Sequence, residues 1–305
     1  MNVTFRQLRL FLSFADLGGI TAAAKACHVT QPTVSMQLKE LSESVGLPLY
    51  EQIGKRLHLT AAGADLAETI RTMMGEWAAF EQRIDAMKGL TRGQLRVAVV
   101  STAKYFVPRL LGRFCAAHPE IDIALEVQNR DGVVARLREN RDDLYIMSMP
   151  PADIELERHA FLPNPLVVIA PESHPLAGSK GVKLAALAGQ RFILREQGSG
   201  TRLACDAHFA RIGFKAAVRL ELGSNEAIKQ AVAGGLGLAV ISRHAMSAHP
   251  HEEQLTVLDV EGFPVQSNWW TLYPRGKSLS PVAQVFLQHL ERAAREWDEA
   301  RGKPG

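Results

Sequence analysis

The sequence predicts an α/β fold class with an all-α N-terminal part: a winged helix-turn-helix, a long helix, then a two-lobed α/β region. Three observations predict it. Residues 4–45 carry apolar side chains at helical spacing in three short runs. Residues 66–87 keep an apolar residue at alternating intervals of four and three. From Gln94 onward, apolar runs of strand length alternate with amphipathic helical stretches.

The first helix opens with Thr4 as N-cap and carries Leu8, Phe11, Leu12 and Ala15 as its apolar stripe; Gly18 and Gly19 stop it. Residues 21–41 split into two helical pieces joined at His28, Val29 and Thr30. Thr30 caps the second piece, and Pro32 sits in its first turn, where a missing N–H costs nothing. Val34, Leu38, Leu41 and Val45 face a core. The opposite face carries Pro32, Met36 and Lys39, flanked by Thr33 and Ser35, with Gln31 at its exposed start. A short, uncrowded face with one long cation suits an element that enters the major groove and reads base edges. Behind it, Gly54, Lys55 and Arg56 lie between two apolar strand-like pieces, as in a hairpin with cations at its tip. Placed there, the tip suits a wing on phosphates or the minor groove, the alternative being a solvated turn.

Thr60 caps the long helix, expected to run to about Met87. Leu66, Ile70, Met73, Trp77, Phe80, Ile84 and Met87 form a heptad seam of the kind a two-helix coiled coil buries. A homodimer is the expectation; a helix packed within its own domain is the alternative. A hinge is expected at residues 89–93. Next come strands at 95–100, 121–128 and 144–149 with helices at 103–117 and 131–140. A second set follows, with strands at 166–171, 192–194, 218–222 and 236–242 and helices at 201–212 and 226–233. This order implies parallel sheets covered by helices. A strand at 268–273 and a helix at 280–297 should return to the first lobe. The expected division is residues 1–60, 61–92 and 93–305, with lobe I at 93–163 and 268–305 and lobe II at 164–267.

Length and composition agree with two or three domains, since the chain has 305 residues. A net charge of +3 is too small to signal nucleic acid by itself, so DNA affinity must come from local placement of Lys and Arg. No run of eighteen apolar residues and no basic-then-apolar leader occurs, so a soluble, cytoplasmic protein without membrane contact is expected. Cys27, Cys115 and Cys205 lie far apart and read as packed thiols, not as a metal or disulfide set.

The run Thr30-Gln31-Pro32-Thr33-Val34-Ser35, the segment 57–63 (LHLTAAG) and the long helix resemble the LysR-type transcriptional regulators. The resemblance covers the whole chain. Segments 102–108 (TAKYFVP), 129–131 (NRD) and 198–202 (GSGTR) resemble the members that regulate Calvin-cycle, RuBisCO-encoding operons. The resemblance implies a winged helix-turn-helix, a linker helix and an effector domain built like a periplasmic binding protein. It implies double-stranded DNA with a dyad-symmetric promoter site as partner, a small-molecule effector, a homodimer or homotetramer, and RNA polymerase as a further partner. Met36 departs from the family pattern, where Arg is common, and offers an apolar contact to a thymine methyl instead. The DNA-contacting set is thus Gln31, Pro32, Thr33, Ser35, Met36, Lys39, Lys55 and Arg56.

The residues also point to an anion-sized effector. Ser101 and Thr102, the 198–201 turn, and Ser224 with Asn225 each follow a strand or loop and open a helix, where unpaired N–H groups can seat a carboxylate or phosphate. Singly, each could be an ordinary N-cap; three in a two-lobed α/β region favour a ligand site at the carboxyl ends of strands. The expected effector residues are Ser101, Thr102, Arg130, Ser199, Gly200, Thr201, Arg202 and Asn225. Arg202 would supply a charged fork for phosphate. No catalytic residue, cofactor or metal is expected. Ser199 lacks the flanking glycines of a nucleophile elbow, Gly276-Lys277-Ser278 lacks the first glycine of a P-loop, and Gly235-Leu236-Gly237 runs into Val240 where a dinucleotide fingerprint needs Gly or Ala. His249 and His251 sit in a polar loop with no third ligand beside them in sequence.

Overall fold

The computed structural model describes residues 3–54, 56–87, 93–247 and 249–301. Its chain divides into two units, residues 1–81 with 139–141, and residues 82–138 with 142–305.

In the first unit, α1 (Phe5–Leu17) begins at a reciprocal cap. The Gln7 backbone N–H donates to Thr4 Oγ1 at 3.3 Å, and the Thr4 N–H donates to Gln7 Oε1 at 2.9 Å. Gly18, at φ 68°, ends the helix. α2 (Ile20–Ala26) and α3 (Gln31–Val45) are joined by a turn in which His28 takes a left-handed φ of 53°. Thr30 caps α3 through the Thr33 N–H. β1 (Tyr50–Ile53) and β2 (Arg56–Leu59) then pair antiparallel, with Ile53 opposite Arg56. α4 (Ala61–Met87) starts at Thr60, whose Oγ1 accepts the Gly63 N–H at 3.1 Å. A Cβ on Gly63 would lie 1.8 Å from the Leu49 carbonyl oxygen, so only glycine lets α4 begin this close to the strand behind it. Phe11, Phe14, Val34, Leu38, Leu41, Leu49 and Ile70 are buried together as the core of this head.

Along α4 the seam divides. Leu66 and Ile70 pack into the head core, whereas Met73, Trp77 and Phe80 are 45%, 49% and 44% exposed. Trp77 lies 5.5 Å from the Phe5 ring and 5.6 Å from the Phe80 ring, so an aromatic strip continues from α4 to the start of α1.

The second unit contains two five-stranded sheets. The first is built from β3 (Gly93–Val100), β4 (Ile121–Gln128), β5 (Leu144–Met147), β6 (Leu156–Pro163) and β12 (Asn268–Pro274), in the order β4-β3-β5-β12-β6. The second uses β7 (Leu166–Pro171), β8 (Arg191–Arg195), β9 (Ala217–Leu222), β10 (Leu238–Ser242) and β11 (Leu255–Leu258), in the order β11-β7-β10-β8-β9. Helices α5 (Val107–Ala117), α6 (Arg130–Arg138) and α9 (Pro281–Arg301) accompany the first sheet, and α7 (Gly200–Arg211) and α8 (Asn225–Ala233) the second. Phe114, Tyr145, Trp269 and Phe286 fill the first lobe. The second is packed on both faces of its sheet, around Phe192 and Phe209 on one side and Ile169, Ile193 and Ile228 on the other.

Three expectations need correction. The sheets are mixed, not parallel: β3 pairs parallel with β4 and β5, and β8 with β9 and β10, but β12 runs antiparallel to β5 and β6, and β7 to β10 and β11. Both β7 and β12 enter from the other lobe, so no helical crossover forces a parallel direction on them. Strands β6 and β11 were not expected from the sequence. Charged residues interrupt β6, and β11 has only four residues. Finally, the helix expected at 103–117 is a 3-10 turn at Ser101–Tyr105 followed by α5, which restarts around Pro108, a residue with no N–H to continue a ladder.

Candidate functional site

On α3, Gln31, Pro32, Ser35, Met36 and Lys39 are exposed and Thr33 is half-buried, opposite the buried Val34, Leu38 and Leu41. Met36 is 52% exposed, so its thioether side chain stands out from this face. Short hydrogen bonds hold the N-terminal end of this face. Gln31 Nε2 donates to Thr21 Oγ1 at 2.8 Å, and the Thr30 and Thr33 hydroxyls lie 2.8 Å apart. Lys39 stands 3.8 Å from Glu43, a solvated pair that leaves its cation mobile. Arg56 is exposed at the start of β2, while Lys55 lies outside the described residues. This surface offers polar groups and one apolar knob along a helix whose other side is fixed by packing, the geometry of a groove-reading element.

The second unit draws six of the eight expected effector residues to one place. Ser101, Thr102, Arg130, Ser199, Gly200 and Thr201 line a cavity of about 10 Å³ between the carboxyl ends of β3 and β8 and the start of α7. That space has room for no more than a single water, so a larger molecule enters only if the lobes part. Asn225 is buried behind it, its Nδ2 donating to Thr102 Oγ1 at 3.1 Å.

The residue that organises the cleft was missed from sequence. Arg195, the last residue of β8, is only 3% exposed. Its Nη1 donates to Thr102 Oγ1 at 3.3 Å and to Asn225 Oδ1 at 3.2 Å, and its Nη2 donates to Ser101 Oγ at 3.2 Å. Its Nε donates to Glu196 Oε2 at 2.8 Å. One guanidinium therefore ties the β3 end of lobe I to the β8 and α8 ends of lobe II. The available signal was a charged residue closing the apolar run Phe192-Ile193-Leu194 just before a glycine-rich turn.

Arg202 needs correction in the other direction. Its Nη1 donates to Glu221 Oε1 at 2.8 Å and to the Arg195 carbonyl at 2.9 Å, and its Nε donates to Asp206 Oδ2 at 2.8 Å. Burial lowers its basicity, but the hydrogen bonds to Glu221 and Asp206 outweigh that and hold the guanidinium above its ordinary range. With its donors committed to two carboxylates and a carbonyl, it braces α7 against β9 and does not line the cavity. Arg130 does line it, its Nε donating to the Met149 carbonyl at 2.7 Å.

Glycine sets how closely the lobes meet. Gly198 has φ 83°, and a Cβ there would lie 2.2 Å from Asp131 Oδ2. Ser199 caps α7 by accepting the Arg202 N–H at 3.0 Å. Beside the cleft, Tyr105 OH donates to Glu226 Oε1 at 2.6 Å and Lys104 Nζ donates to Glu226 Oε2 at 3.1 Å, a second tie between lobes. Burial alone would raise the Glu226 carboxyl, but hydrogen bonds from Tyr105, its own N–H, Ser224 and Lys104 bring it down to about 2. Away from the cleft, burial pushes the Cys205 thiol up to about 12, so it stays protonated as a packed side chain. His251 lies 2.8 Å from Glu172 in its surface loop.

A helix-turn-helix head on a long helix, followed by a two-lobed domain with a polar interlobe cleft, defines a ligand-responsive DNA-binding regulator. Residues 5–64 match the family model described as bacterial regulatory helix-turn-helix protein, lysR family, and residues 88–295 match the LysR substrate binding domain. The chain belongs to the LysR family of transcriptional regulators. It is 42% identical over 303 residues to the RuBisCO operon transcriptional regulator of Acidithiobacillus ferrooxidans, covering 99% of this chain and 98% of that one. It is 44% identical over 289 residues to the HTH-type transcriptional activator CmpR of Synechocystis, covering 95% of each. Among solved structures, the Synechocystis CcmR regulatory domain in complex with 2-PG is 48% identical with a TM-score of 0.65, covering 67% of this chain and 98% of that one. Full-length CbnR complexed with its target DNA shares the fold at 24% identity and a TM-score of 0.67, covering 95% of this chain and 100% of that one. Among the described residues, no helix is long and apolar enough to cross a membrane.

Proposed function

We propose that this protein regulates carbon-fixation genes and is switched by a small anion held between its two lobes. The names of its relatives support the gene class, and the complex of CcmR with 2-PG supports the ligand class. In this reading residues 1–60 are the DNA-binding head, 61–92 the linker and dimerisation helix, and 93–305 the effector domain. Gln31, Pro32, Thr33, Ser35, Met36 and Lys39 read bases, while Lys55 and Arg56 meet the backbone. The exposed strip of Met73, Trp77 and Phe80 is what a second copy of α4 would cover, giving a homodimer or a dimer of dimers on a dyad-symmetric promoter site, within reach of RNA polymerase.

The single observation that carries the switch is Arg195, a buried cation whose hydrogen bonds span both lobes. An anion competes with Thr102 and Asn225 for that guanidinium and needs more room than one water occupies. Its binding therefore resets the lobes, and with them the spacing of paired reading heads. A melting-shift titration with 2-PG, sugar phosphates and simple carboxylates tests this. At a hundredfold excess over Kd a bound effector adds about 2.7 kcal/mol of stability. Thr102→Val, Thr201→Val and Arg195→Lys should each lose much of that gain while binding operator normally without effector. If no anion shifts the wild type, or all three variants respond like it, the effector site lies elsewhere.

A further inference from the structure

We propose that the effector domain carries a second ligand site, separate from the interlobe cleft, for an organic dianion with an apolar body, the chemistry of an aryl phosphate. The site is a cavity of about 1010 Å³ that shares no lining residue with the cleft. Its size falls at the upper end of small-molecule sites, large enough for a ring system and its charged group together.

Its charge selects anions. Arg109, Arg113, Lys229 and Arg243 lie on the wall against two carboxylates, Glu253 and Glu296. Those carboxylates already have partners: Lys229 Nζ is 2.6 Å from Glu253 Oε1, and Arg113 Nη1 is 3.7 Å from Glu296 Oε2. Arg109 and Arg243 remain, both exposed and paired with no carboxylate among the described residues. Two unneutralised guanidiniums on one concave wall favour a ligand with two negative charges, and each can grip it with paired N–H groups. Between them the wall is apolar, with Phe106, Leu110, Leu162 and Met246, and the Met246 thioether can adapt to a flat ring. A bare inorganic anion would leave that surface wet.

The position also gives the site something to report. Arg109 stands on α5 of the first lobe, and Arg243 follows β10 in the second. Pro165, in the connection between β6 and β7, lies on the same wall. A dianion gripped by both arginines is held by one cation from each lobe, so its affinity depends on how the lobes are set. Tyr105 lines this cavity and also donates to Glu226 across the lobes, which places the second site against the tie that flanks the cleft. Ligands in the two sites should therefore alter each other's affinity by the same factor.

Isothermal titration of the full-length protein with 1-naphthyl phosphate, and separately with inorganic phosphate, tests the proposal. Wild type should bind the naphthyl ester saturably and at least tenfold more tightly than phosphate. Arg109→Ala with Arg243→Ala should weaken the ester at least tenfold, and Ala293→Trp, which adds bulk to the cavity lining from α9 and keeps both cations, should do the same. Thr201→Val, which lines the cleft without being part of the Arg195 tie, should leave the ester's affinity unchanged, so failure of the cleft reading and failure of this one are separable. The proposal is overturned if wild type does not bind the ester, if the double variant binds it as wild type does, or if the loss follows Thr201→Val instead. A double variant whose light-scattering mass falls while its ester affinity holds would also overturn it, assigning the cavity to an interface between chains.

Discussion

The reading face of α3 and the interlobe cleft solve opposite problems. The face keeps its working side chains in water, with Met36 half-exposed and Lys39 in a loose pair, because its partner is a large duplex that comes to it. The cleft keeps its central group dry, with Arg195 saturated by hydroxyl, amide and carboxylate acceptors, the setting the proposed anion would need because a small ligand must be surrounded to be held. The face is what remains when a helix buries its core stripe. The cleft is assembled from strand ends that lie as much as 123 residues apart in sequence, as the Thr102–Asn225 bond shows. One surface is set by local periodicity, the other by topology.

The contrast is sharpest where the two surfaces can be uncoupled. The reading face should work only in pairs, whereas each chain has a complete cleft. Replacing Trp77 and Phe80 together with Glu puts like charges into the seam, and loss of bivalency should weaken operator binding by about 100-fold or more. Light scattering should show smaller particles while the melting gain from 2-PG persists. Retention of the wild-type mass would mean that α4 packs within its own chain.

Arg195→Ala attacks the other side of the comparison. Removing one member of a buried charged pair costs about 3–5 kcal/mol, and the lower end applies because the Glu196 side chain is 24% exposed. Urea unfolding of the effector domain should show that loss, with effector-free operator affinity unchanged. A drop in both would break the separation of the two surfaces.

A smaller effect should distinguish base contacts from backbone contacts within the head. Gln31→Ala should lower operator affinity by about 1–3 kcal/mol and leave random DNA nearly unaffected. Arg56→Ala should weaken both alike and reduce the salt slope by about 1. Gel-shift titrations on operator and scrambled duplexes decide; an unchanged operator affinity for Gln31→Ala would move the reading register along the helix.

The smallest effect belongs to the Glu226 tie. Its folded carboxyl titrates near 2 against an ordinary 4.5, so its contribution is complete above about pH 4.5 and is lost as pH falls toward 2. The pair is half-exposed, which limits it to about 0.2–1 kcal/mol. Glu226→Gln should therefore be less stable than wild type at pH 6, with the gap narrowing below about pH 4.5 and closing only toward pH 2. A gap that is constant with pH would assign the role to packing.

Legibility followed the same division. The head could be read almost residue by residue, because Thr4, Thr30 and Thr60 are caps with local partners and Val34, Leu38 and Leu41 keep a helical period. In the effector domain the strands β4 and β7 could be placed to the residue, since turn signals bound an alternating apolar pattern in β4 and a continuous apolar run in β7. Strand direction could not, because nothing in the sequence of β7 or β12 records which sheet edge the chain crosses to. Among the candidate site residues, those at helix starts gathered at the cleft because N-caps point outward from strand ends. Arg195 was hidden inside a strand, and Arg202 misled because its carboxylate partners Asp206 and Glu221 stand four and nineteen residues away.

The return of β12 to the first sheet has a mechanical consequence. Lobe II is a loop, in the topological sense, let into lobe I: the chain leaves through β6 and β7 and comes back just before β12. The two crossing segments are stitched to each other, Asn164 N–H to Ser267 O at 2.7 Å, and Leu166 and Val265 to one another at 3.0 and 2.9 Å. A two-stranded ribbon bends and twists easily but resists stretching, so it acts as a pivot of nearly fixed length. If the proposed switch works by lobe II swinging on this pivot, the faces where the lobes touch, Gly198 against Asp131 and Tyr105 against Glu226, are the gear teeth of the device.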